Sequence, residues 1–441
     1  MPDTSFPSDF IWGAATASYQ IEGAANEDGR GPSVWDTFSR TPGKVAKGDT
    51  GDVACDHYHR FEEDVRIIRE LGIPNYRFSV SWPRVLPLGQ GPVNRKGLDF
   101  YSRLVDSLLT SGITPAVTLF HWDYPQALED CGGWAHPDAS KWFGEYAEVI
   151  FKALGDRVKM WLTLNEPWCH SWLGNGCGTH APGNVSDTLP YQVGHGLLLG
   201  HGEAVARYRG LAQNGKIGLT TNHTFGMAAS DSPEDLKAKE QFDHWNAGWF
   251  LDPIYFGDYP EYLKARFPMP QFGQAESKLV SQPLDFLGLN FYFSDVVKWN
   301  PAKLNDAEQY PARQDNTTEM GWQRLPETFT YCLVETQKRY KPEKILIFEN
   351  GCAYPDRVED GRVHDEKRMN FIRDYLGGVR DAISQGVPVG GYFVWSLLDN
   401  FEWAEGYRPR FGIVHVDYET QKRTPKDSAL MYRDIIKANS V

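Results

Sequence analysis

A chain of 441 residues, 41% hydrophobic and 23% charged, is long enough for two domains or one large closed barrel and has the composition of a folded globular protein. Its formal net charge of −13 argues against nucleic acid and anionic membrane surfaces as partners, because both select basic faces. No stretch approaches the roughly 20 apolar residues of a membrane helix, and MPDTSFPSDF at the start lacks the pattern of a secretory signal, so we expect a soluble cytoplasmic protein.

Apolar, strand-like runs recur along the whole chain, and amphipathic helical patterns separate most of them. The runs are residues 10–20, 75–82, 114–122, 160–166, 216–222, 285–292, 344–350 and 389–398. Residues 58–72 show the helical pattern, with apolar side chains every three or four positions and Gly72 at the end. Because strands and helices alternate through eight units without a linker, we predict one (β/α)₈ TIM barrel domain over residues 1–441. Long βα loops are expected to cover its C-terminal face.

Polar and aromatic side chains stand at the carboxyl ends of these predicted strands. In a barrel of this class those ends meet at one face, where the βα loops build the functional site. The residues expected to converge there are Gln20, Arg77, His121, Trp122, Asn165, Glu166, Asn222, Asn290, Tyr292, Glu349, Trp395, Glu402 and Trp403. Their coincidence at one mouth predicts a binding or catalytic site.

Glu166 and Glu349 are unusual because each ends a run that is otherwise apolar. Two carboxyls among amides and aromatic rings suit glycosidic bond cleavage, in which one protonates the leaving oxygen and the other attacks the sugar or activates water. Burial beside Trp168 and the charge of its partner should raise the pKa of Glu166, which predicts it as the acid. We expect Glu349 to stay ionised, with Arg77 neutralising it and Tyr292 donating a hydrogen bond.

Some of these residue types also have purely structural uses. A single strand-end glutamate is more often a salt-bridge partner or a helix cap, but two with adjacent asparagines favour a catalytic pair. His121 suits a core histidine or a sugar ligand equally well. His57 and His59 beside Asp56 could suggest a metal, but no strand end adds a further ligand there, and no metal site is predicted. The six cysteines form no CxxC pair, so we expect free thiols.

Seven ordered segments make the chain resemble a β-glucosidase of glycoside hydrolase family 1 over almost its whole length. They are FIWGAATASYQIEGA, YRFSVSWPR, TLFHWDYPQAL, TLNEP, GTHAPG, FENG and VWSLLDNFEWAEGY. The resemblance implies a retaining enzyme that releases terminal β-D-glucosyl residues, and so glucose, from cellobiose, short cello-oligosaccharides and aryl β-glucosides. It implies two displacements through a covalent glycosyl-enzyme and no cofactor or metal. It leaves open β-galactosides, β-fucosides and the oligomeric state.

The same resemblance assigns roles to individual residues. Glu166 takes the acid/base position and Glu349 the nucleophile position. The substrate-binding residues it implies are Gln20, His121, Asn165, Glu402 and Trp403, with Trp395 beneath the sugar ring. Trp122, Asn290 and Tyr292 are added to the substrate-binding set because they stand at the same strand ends. Arg77 is expected to support the nucleophile. Trp168, Leu173, His180 and Trp322 are expected to line the entrance for the leaving group, where bulky side chains would limit the return of glucose.

Two departures and two rival functions remain at this point. Phe348 replaces the threonine usual before the nucleophile, and strand alternation predicts that it points into the helix layer. LGLNFYF differs from the commoner GxNYY but keeps Asn290 and Tyr292. A phospho-β-glycosidase is the nearest rival, although Glu402 would repel a phosphate. An inactive sugar-binding barrel is the other, although such relatives usually lack one glutamate.

Overall fold

The computed structural model describes residues 5–309 and 316–441, and its centre is a closed barrel of parallel strands paired in chain order. The barrel strands are β1 Ile11–Ala15, β2 Asn75–Ser79, β3 Thr114–Phe120, β4 Met160–Asn165, β5 Lys216–Thr221, β6 Phe286–Asn290, β7 Ile345–Asn350 and β8 Val389–Trp395. Each lies within one of the eight predicted runs. The predicted (β/α)₈ class is therefore confirmed.

Helices follow every barrel strand in the described residues. Their bounds are α1 Ser18–Ile21, α2 Val34–Arg40, α3 His57–Glu70, α4 Trp82–Val85, α5 Arg95–Thr110, α6 Gln126–Glu129, α7 Ala139–Leu154, α8 Leu189–Gly210, α9 Pro233–Asp243, α10 Trp249–Phe256, α11 Glu261–Arg266, α12 Gln274–Val280, α13 Pro326–Tyr340, α14 Glu366–Ser384 and α15 Asp427–Ala438. Helix α3 buries its predicted stripe, including Phe61, Val65 and Ile68. Gly72 follows α3 with a φ of +63°, as the helix-ending pattern predicts.

The inside of the barrel is filled by apolar side chains from six strands. They are Ala15, Ala116, Leu162, Phe286, Leu346, Phe348, Phe393 and Trp395. A larger buried cluster joins the strands to the surrounding helices. Because these side chains pack the interior, the site of a barrel of this class is expected where the strands end.

Phe348 belongs to this interior, so the prediction that it points into the helix layer is wrong. Its ring centroid lies 5.6 Å from that of Phe286 and 5.0 Å from that of Phe393. The Arg77 guanidinium lies 5.6 Å from the Phe348 ring centroid. The reason is a register shift between Ile347 and Glu349 in the pairing of β7 with β6. This irregularity interrupts the two-residue alternation, so the side chains of Phe348 and Glu349 both face inward.

The ends of β4 and β1 also depart from regular strands. Pairing of β4 with β5 shifts register between Leu162 and Asn165, just before Glu166. The first predicted run, residues 10–20, ends as a strand at Ala15, and Gln20 lies instead on the short helix α1. The polar residues at these tips are therefore aimed by local irregularities as well as by the strands.

The loops over the carboxyl ends contain structure that the sequence pattern did not predict. Met227–Ala228, Val296–Trp299 and Ala307–Gln309 form a small sheet, and Val414–Val416 pairs with Arg423–Pro425. Two helical turns are of the π type, Cys169–Leu173 and His244–Gly248. Over residues 5–309 and 316–441, none of the helices has the length and apolar character that crossing a membrane requires.

Candidate active site

A cavity of about 470 Å³ opens at the carboxyl ends of the strands. Fourteen of the sixteen residues that were assigned a role in the site line it: His121, Trp122, Asn165, Glu166, Trp168, Leu173, His180, Asn290, Tyr292, Trp322, Glu349, Trp395, Glu402 and Trp403. The other two, Gln20 and Arg77, are fully buried behind the wall and bond to lining residues. The structure thus brings all sixteen to one place, while their roles remain proposals.

Glu166 follows β4 in a left-handed conformation, with a φ of +43°, and its N–H donates to the carbonyl of Thr220 at 2.8 Å. This strained turn aims the side chain into the cavity. Asn290 Nδ2 donates to Glu166 Oε1 at 2.6 Å, and Cys169 Sγ donates to Oε2 at 3.3 Å. Burial, and then the negative charge of Glu349, raises the pKa of Glu166 to about 8. Its carboxyl is therefore protonated at neutral pH.

Glu349 is equally buried but has stronger partners. Arg77 Nη1 donates to its Oε1 at 2.5 Å, and the Tyr292 hydroxyl donates to its Oε2 at 2.6 Å. Burial raises the pKa of Glu349, while Arg77 and then Tyr292 oppose the rise. The two carboxyls thus differ in a definite way: Glu349 has a cation within hydrogen-bonding distance, whereas Glu166 has neutral donors. This difference favours the ionised form at Glu349 and the protonated form at Glu166.

One hydrogen-bond network fixes the residues between the two carboxyls. Arg77 Nη2 donates to Asn165 Oδ1 at 2.6 Å, and Asn290 Nδ2 donates to the same oxygen at 3.0 Å. The Asn165 amide is therefore oriented with its Nδ2 toward His121 Nε2, 3.0 Å away. Burial, and then Arg77, lowers the pKa of His121 well below its usual value, so this ring is neutral. Asn290 also opposes the rise in the pKa of Glu349, which places it beside both carboxyls.

The third carboxyl of the cavity belongs to Glu402, in the loop after β8. Gln20 Nε2 donates to Glu402 Oε2 at 3.4 Å and to the Phe401 carbonyl at 2.9 Å. Burial, and then the charge of Glu349, raises the pKa of Glu402 to about 8. Gln20 Oε1 has no hydrogen-bond partner among the described residues. A buried carboxyl and a buried acceptor without a partner are both ready for donors that a ligand brings.

Aromatic rings form the remaining wall around this polar centre. The rings of Trp395 and Trp403 lie 6.0 Å and 5.9 Å from that of His121, each inclined to it by 21°. The Trp122 ring packs 4.6 Å from Trp403, and its Nε1 donates to the Asn165 carbonyl at 2.9 Å. Flat apolar faces beside carboxyls and amides are the surroundings that a sugar ring needs, since its two sides differ in polarity.

The four predicted entrance residues also line the cavity. Trp322 packs against Phe293 with ring centroids 5.1 Å apart, and Trp168 lies edge-on to Trp245 at 6.5 Å. His180 lies 5.5 Å from Trp122, and burial lowers its pKa to about 4, so it is neutral. That these side chains form the entrance for the leaving group stays a prediction.

Asn222, which the sequence places at this mouth without a role of its own, also lines the cavity. The remaining lining residues had not been expected there: Cys169, Thr179, Thr224, Asn246, Phe293, Asp295, Gln309, Met320, Ala404, Glu405 and Phe411. Most of them come from loops and π-helical turns with no repeating pattern. Cys169 directly contacts Glu166, and its place three residues later in the chain was the available clue.

The charge of the cavity is one-sided. Among the described residues that line it there is no lysine and no arginine, whereas Glu166, Glu349, Glu402, Asp295 and Glu405 are acidic. No group of three or more histidine, cysteine or acidic side chains within residues 5–309 and 316–441 is placed to hold a metal ion. The six cysteines are unpaired, as predicted. A neutral, hydroxyl-rich ligand is the class that this lining suits.

The chain matches known proteins over its full length. The protein-family model described as Glycosyl hydrolase family 1 matches residues 2–441 of this chain. Beta-glucosidase A of Thermotoga maritima is 49% identical, covering 99% of this chain and 98% of that protein. The 1,4-beta-D-glucan glucohydrolase of Thermotoga neapolitana is 48% identical, with 99% of each covered. The solved structure of a beta-glucosidase from Thermotoga maritima in complex with deoxynojirimycin has a TM-score of 0.97, 47% identity and 100% coverage of both chains.

Proposed function

This chain belongs to glycosyl hydrolase family 1, and we propose that it is a retaining β-glucosidase with Glu166 as acid/base and Glu349 as nucleophile. Its substrates would be cellobiose, short cello-oligosaccharides and aryl β-glucosides. The observation that supports this best is the pair of buried carboxyls in one cavity with opposite partners, a guanidinium for Glu349 and neutral donors for Glu166. Glycoside cleavage needs one carboxyl of each kind.

In the first step, a carboxylate oxygen of Glu349 attacks the anomeric carbon, and the bond from that carbon to the aglycone oxygen breaks. Glu166 gives its proton to that oxygen, so the aglycone leaves as an alcohol. Arg77 and Tyr292 hold the Glu349 carboxylate through both oxygens until the attack. The product of this step is a glucosyl ester of Glu349.

In the second step, Glu166 is a carboxylate and takes a proton from a water molecule. The resulting hydroxide equivalent attacks the anomeric carbon, the ester bond breaks, and Glu349 is released as a carboxylate. Two inversions give glucose with the original anomeric configuration. The raised pKa of Glu166, about 8, suits both roles, since the group must hold a proton in one step and accept one in the next.

Retention is favoured over inversion by the shared partner of the two carboxyls. Asn290 is hydrogen-bonded to Glu166 and also acts on Glu349. A single amide beside both groups suits the separation of about 5 Å that direct attack requires better than the roughly 6.5–9.5 Å that leaves room for an activated water.

The role assignment is tested with two glutamate variants and an activated aryl β-glucoside. Glu349→Ala should abolish turnover. Glu166→Ala should still form the glucosyl-enzyme when the leaving group needs no proton and then stall, giving a burst of aglycone followed by slow release. Near-normal steady-state rates of Glu166→Ala on cellobiose would contradict the assignment.

The acidic lining favours this function over a phospho-β-glycosidase. A sugar phosphate would meet Glu402 and Glu349 with no lysine or arginine among the described lining residues to bind it. An inactive sugar-binding barrel is disfavoured by the presence of both glutamates. Initial rates on nitrophenyl β-glucoside, β-galactoside, β-fucoside and 6-phospho-β-glucoside, and on cellobiose, separate these functions and rank the sugars.

The cytoplasm is the compartment that we propose for this activity. Six unpaired cysteines, four of them buried, are compatible with a reducing compartment and lend no support to an oxidising one. Fractionation of the native host followed by an assay for nitrophenyl β-glucosidase would test the assignment, and activity confined to the medium would refute it.

A further inference from the structure

The hydrogen bonds around Glu166 include a contact that the reaction scheme above does not use. Cys169 opens the π-helical turn after β4, and its Sγ donates to Glu166 Oε2 at 3.3 Å. Asn222, at the end of β5, donates from Nδ2 to the same sulfur at 3.3 Å. Cys169 and Asn222 both line the cavity. These three side chains form a hydrogen-bonded chain that ends at the carboxyl assigned as acid/base.

The direction of this chain follows from its donors. The amide nitrogen of Asn222 can only donate, so the sulfur of Cys169 accepts there. The S–H of Cys169 is then left for Glu166 Oε2. Because burial raises the pKa of Cys169 well above its usual value, this side chain is a neutral thiol and can act as a donor.

The backbone holds the thiol in place. The N–H of Cys169 donates to the carbonyl of Glu166 at 3.0 Å, which closes the turn between them. The left-handed φ of Glu166 leaves its carboxyl on the side of the turn that faces the thiol. Asn290 occupies Oε1 from the other side at 2.6 Å. Oε2 is consequently the oxygen that faces the thiol, and it is the less tightly held of the two.

We propose that Cys169, oriented by Asn222, is a positioning residue that stabilises the ionised form of Glu166 and so sets the pH at which the acid/base changes state. The inference rests on the proposed function, because it assigns a part in the same reaction. A thiol donates more weakly than a hydroxyl, so it favours the carboxylate needed in the second step without abolishing the acid needed in the first.

Other charged or titratable groups face Glu166 from the neighbouring elements. They are Glu349 on β7, Arg77 on β2, Tyr292 after β6 and Glu402 after β8. His121, after β3, lines the same cavity and is neutral. Substitutions at Cys169 leave all of these in place. A change in the titration of Glu166 can then be attributed to the thiol itself.

The test is the pH dependence of kcat/KM on an aryl β-glucoside with a poor leaving group. The alkaline limb reports loss of the proton from Glu166. Cys169→Ala removes a donor to the carboxylate, so this limb should move to higher pH, by roughly half a pH unit. Cys169→Ser supplies a stronger donor and should move it to lower pH. Asn222→Ala should move it partway in the direction of Cys169→Ala and have no further effect in that background.

A matched control is Cys332→Ala, since Cys332 is also buried but its Sγ donates to the carbonyl of His223. This variant should leave both limbs at the wild-type pH. The inference is overturned if the alanine and serine variants at Cys169 shift the limb in the same direction, or if neither moves it. Should Cys169→Ser not fold, the two alanine variants decide the question: the inference holds if Cys169→Ala moves the alkaline limb to higher pH while Cys332→Ala leaves it unchanged, and it fails otherwise. Failure of the proposed function would appear separately, as normal turnover by Glu166→Ala.

Discussion

Replacing Arg77 by methionine removes the one cation that contacts Glu349 among the described residues, while nearly keeping its volume. Arg77 Nη1 and Glu349 Oε1 lie 2.5 Å apart, and both side chains are buried. Two unit charges whose centres are about 4 Å apart attract each other by about 4 kcal/mol at an effective dielectric constant near 20, which corresponds to roughly three pKa units. The pKa of Glu349 should therefore rise, and the nucleophile should be protonated at neutral pH.

The expected result is a shift of the acid limb of kcat/KM toward higher pH by roughly two to three units, with a loss of rate that grows as the pH falls and reaches roughly 10²–10³-fold below the wild-type limb. The assay is initial rates on nitrophenyl β-glucoside across the pH range in which each variant stays folded. Arg77→Lys keeps the charge but loses the fork that also bonds Asn165 and Thr118. Its acid limb should therefore lie between those of the wild type and Arg77→Met.

The control is Arg84→Met, because Arg84 is equally buried and bonds the carboxylate of Glu22 at 2.9 Å, and neither residue is among those that line the cavity. Each variant breaks a buried ion pair, which typically costs about 3–5 kcal/mol of stability. Only Arg77→Met should move the acid limb. If Arg77→Met keeps its acid limb at the wild-type pH, the assignment of Arg77 as the group that holds Glu349 ionised is wrong.

Phe348→Ala should lower the free energy of unfolding by roughly 3–5 kcal/mol in urea, since its ring is packed inside the barrel; Phe348→Leu should cost much less, and equal losses would contradict the packing account. Glu402→Gln should reduce kcat/KM on nitrophenyl β-glucoside by roughly 10–100-fold, because the amide offers the sugar hydroxyls one acceptor oxygen where the carboxyl group offers two; an unchanged value would exclude this contact. Trp168→Ala with Leu173→Ala should strengthen inhibition by glucose if these side chains restrict its return, and an unchanged inhibition constant would refute that role.

The eight strands and the convergence of their polar tips could be predicted because both depend on local sequence pattern. An apolar run ending in a polar residue predicts where a strand stops, and the barrel then fixes which tips meet. Glu166 and Glu349 were found in this way. The prediction that residues 1–441 form a single domain stays a prediction.

The side-chain directions at the strand ends could not be predicted in the same way. Strand alternation alone pointed Phe348 outward, but the register shift in β7 depends on pairing with a strand about 60 residues earlier in the chain. The contact between Cys169 and Asn222 joins two βα loops and is likewise set by packing between distant segments. Periodicity carries no information about either feature.

The charges explain why one guanidinium suffices for a cavity with three central carboxyls. With pKa values raised to about 8, Glu166 and Glu402 are protonated at neutral pH. Of the three central carboxyls, Glu349 therefore carries the negative charge, and Arg77 balances it. A neutral sugar can enter without bringing a charge into this buried site, and its hydroxyls supply the donors that a carboxyl at Glu402 can use. A sugar phosphate would add about two negative charges where no further cation is available among the lining residues. With Glu349 as the proposed nucleophile, the balance that keeps it ionised would also select an uncharged glycoside.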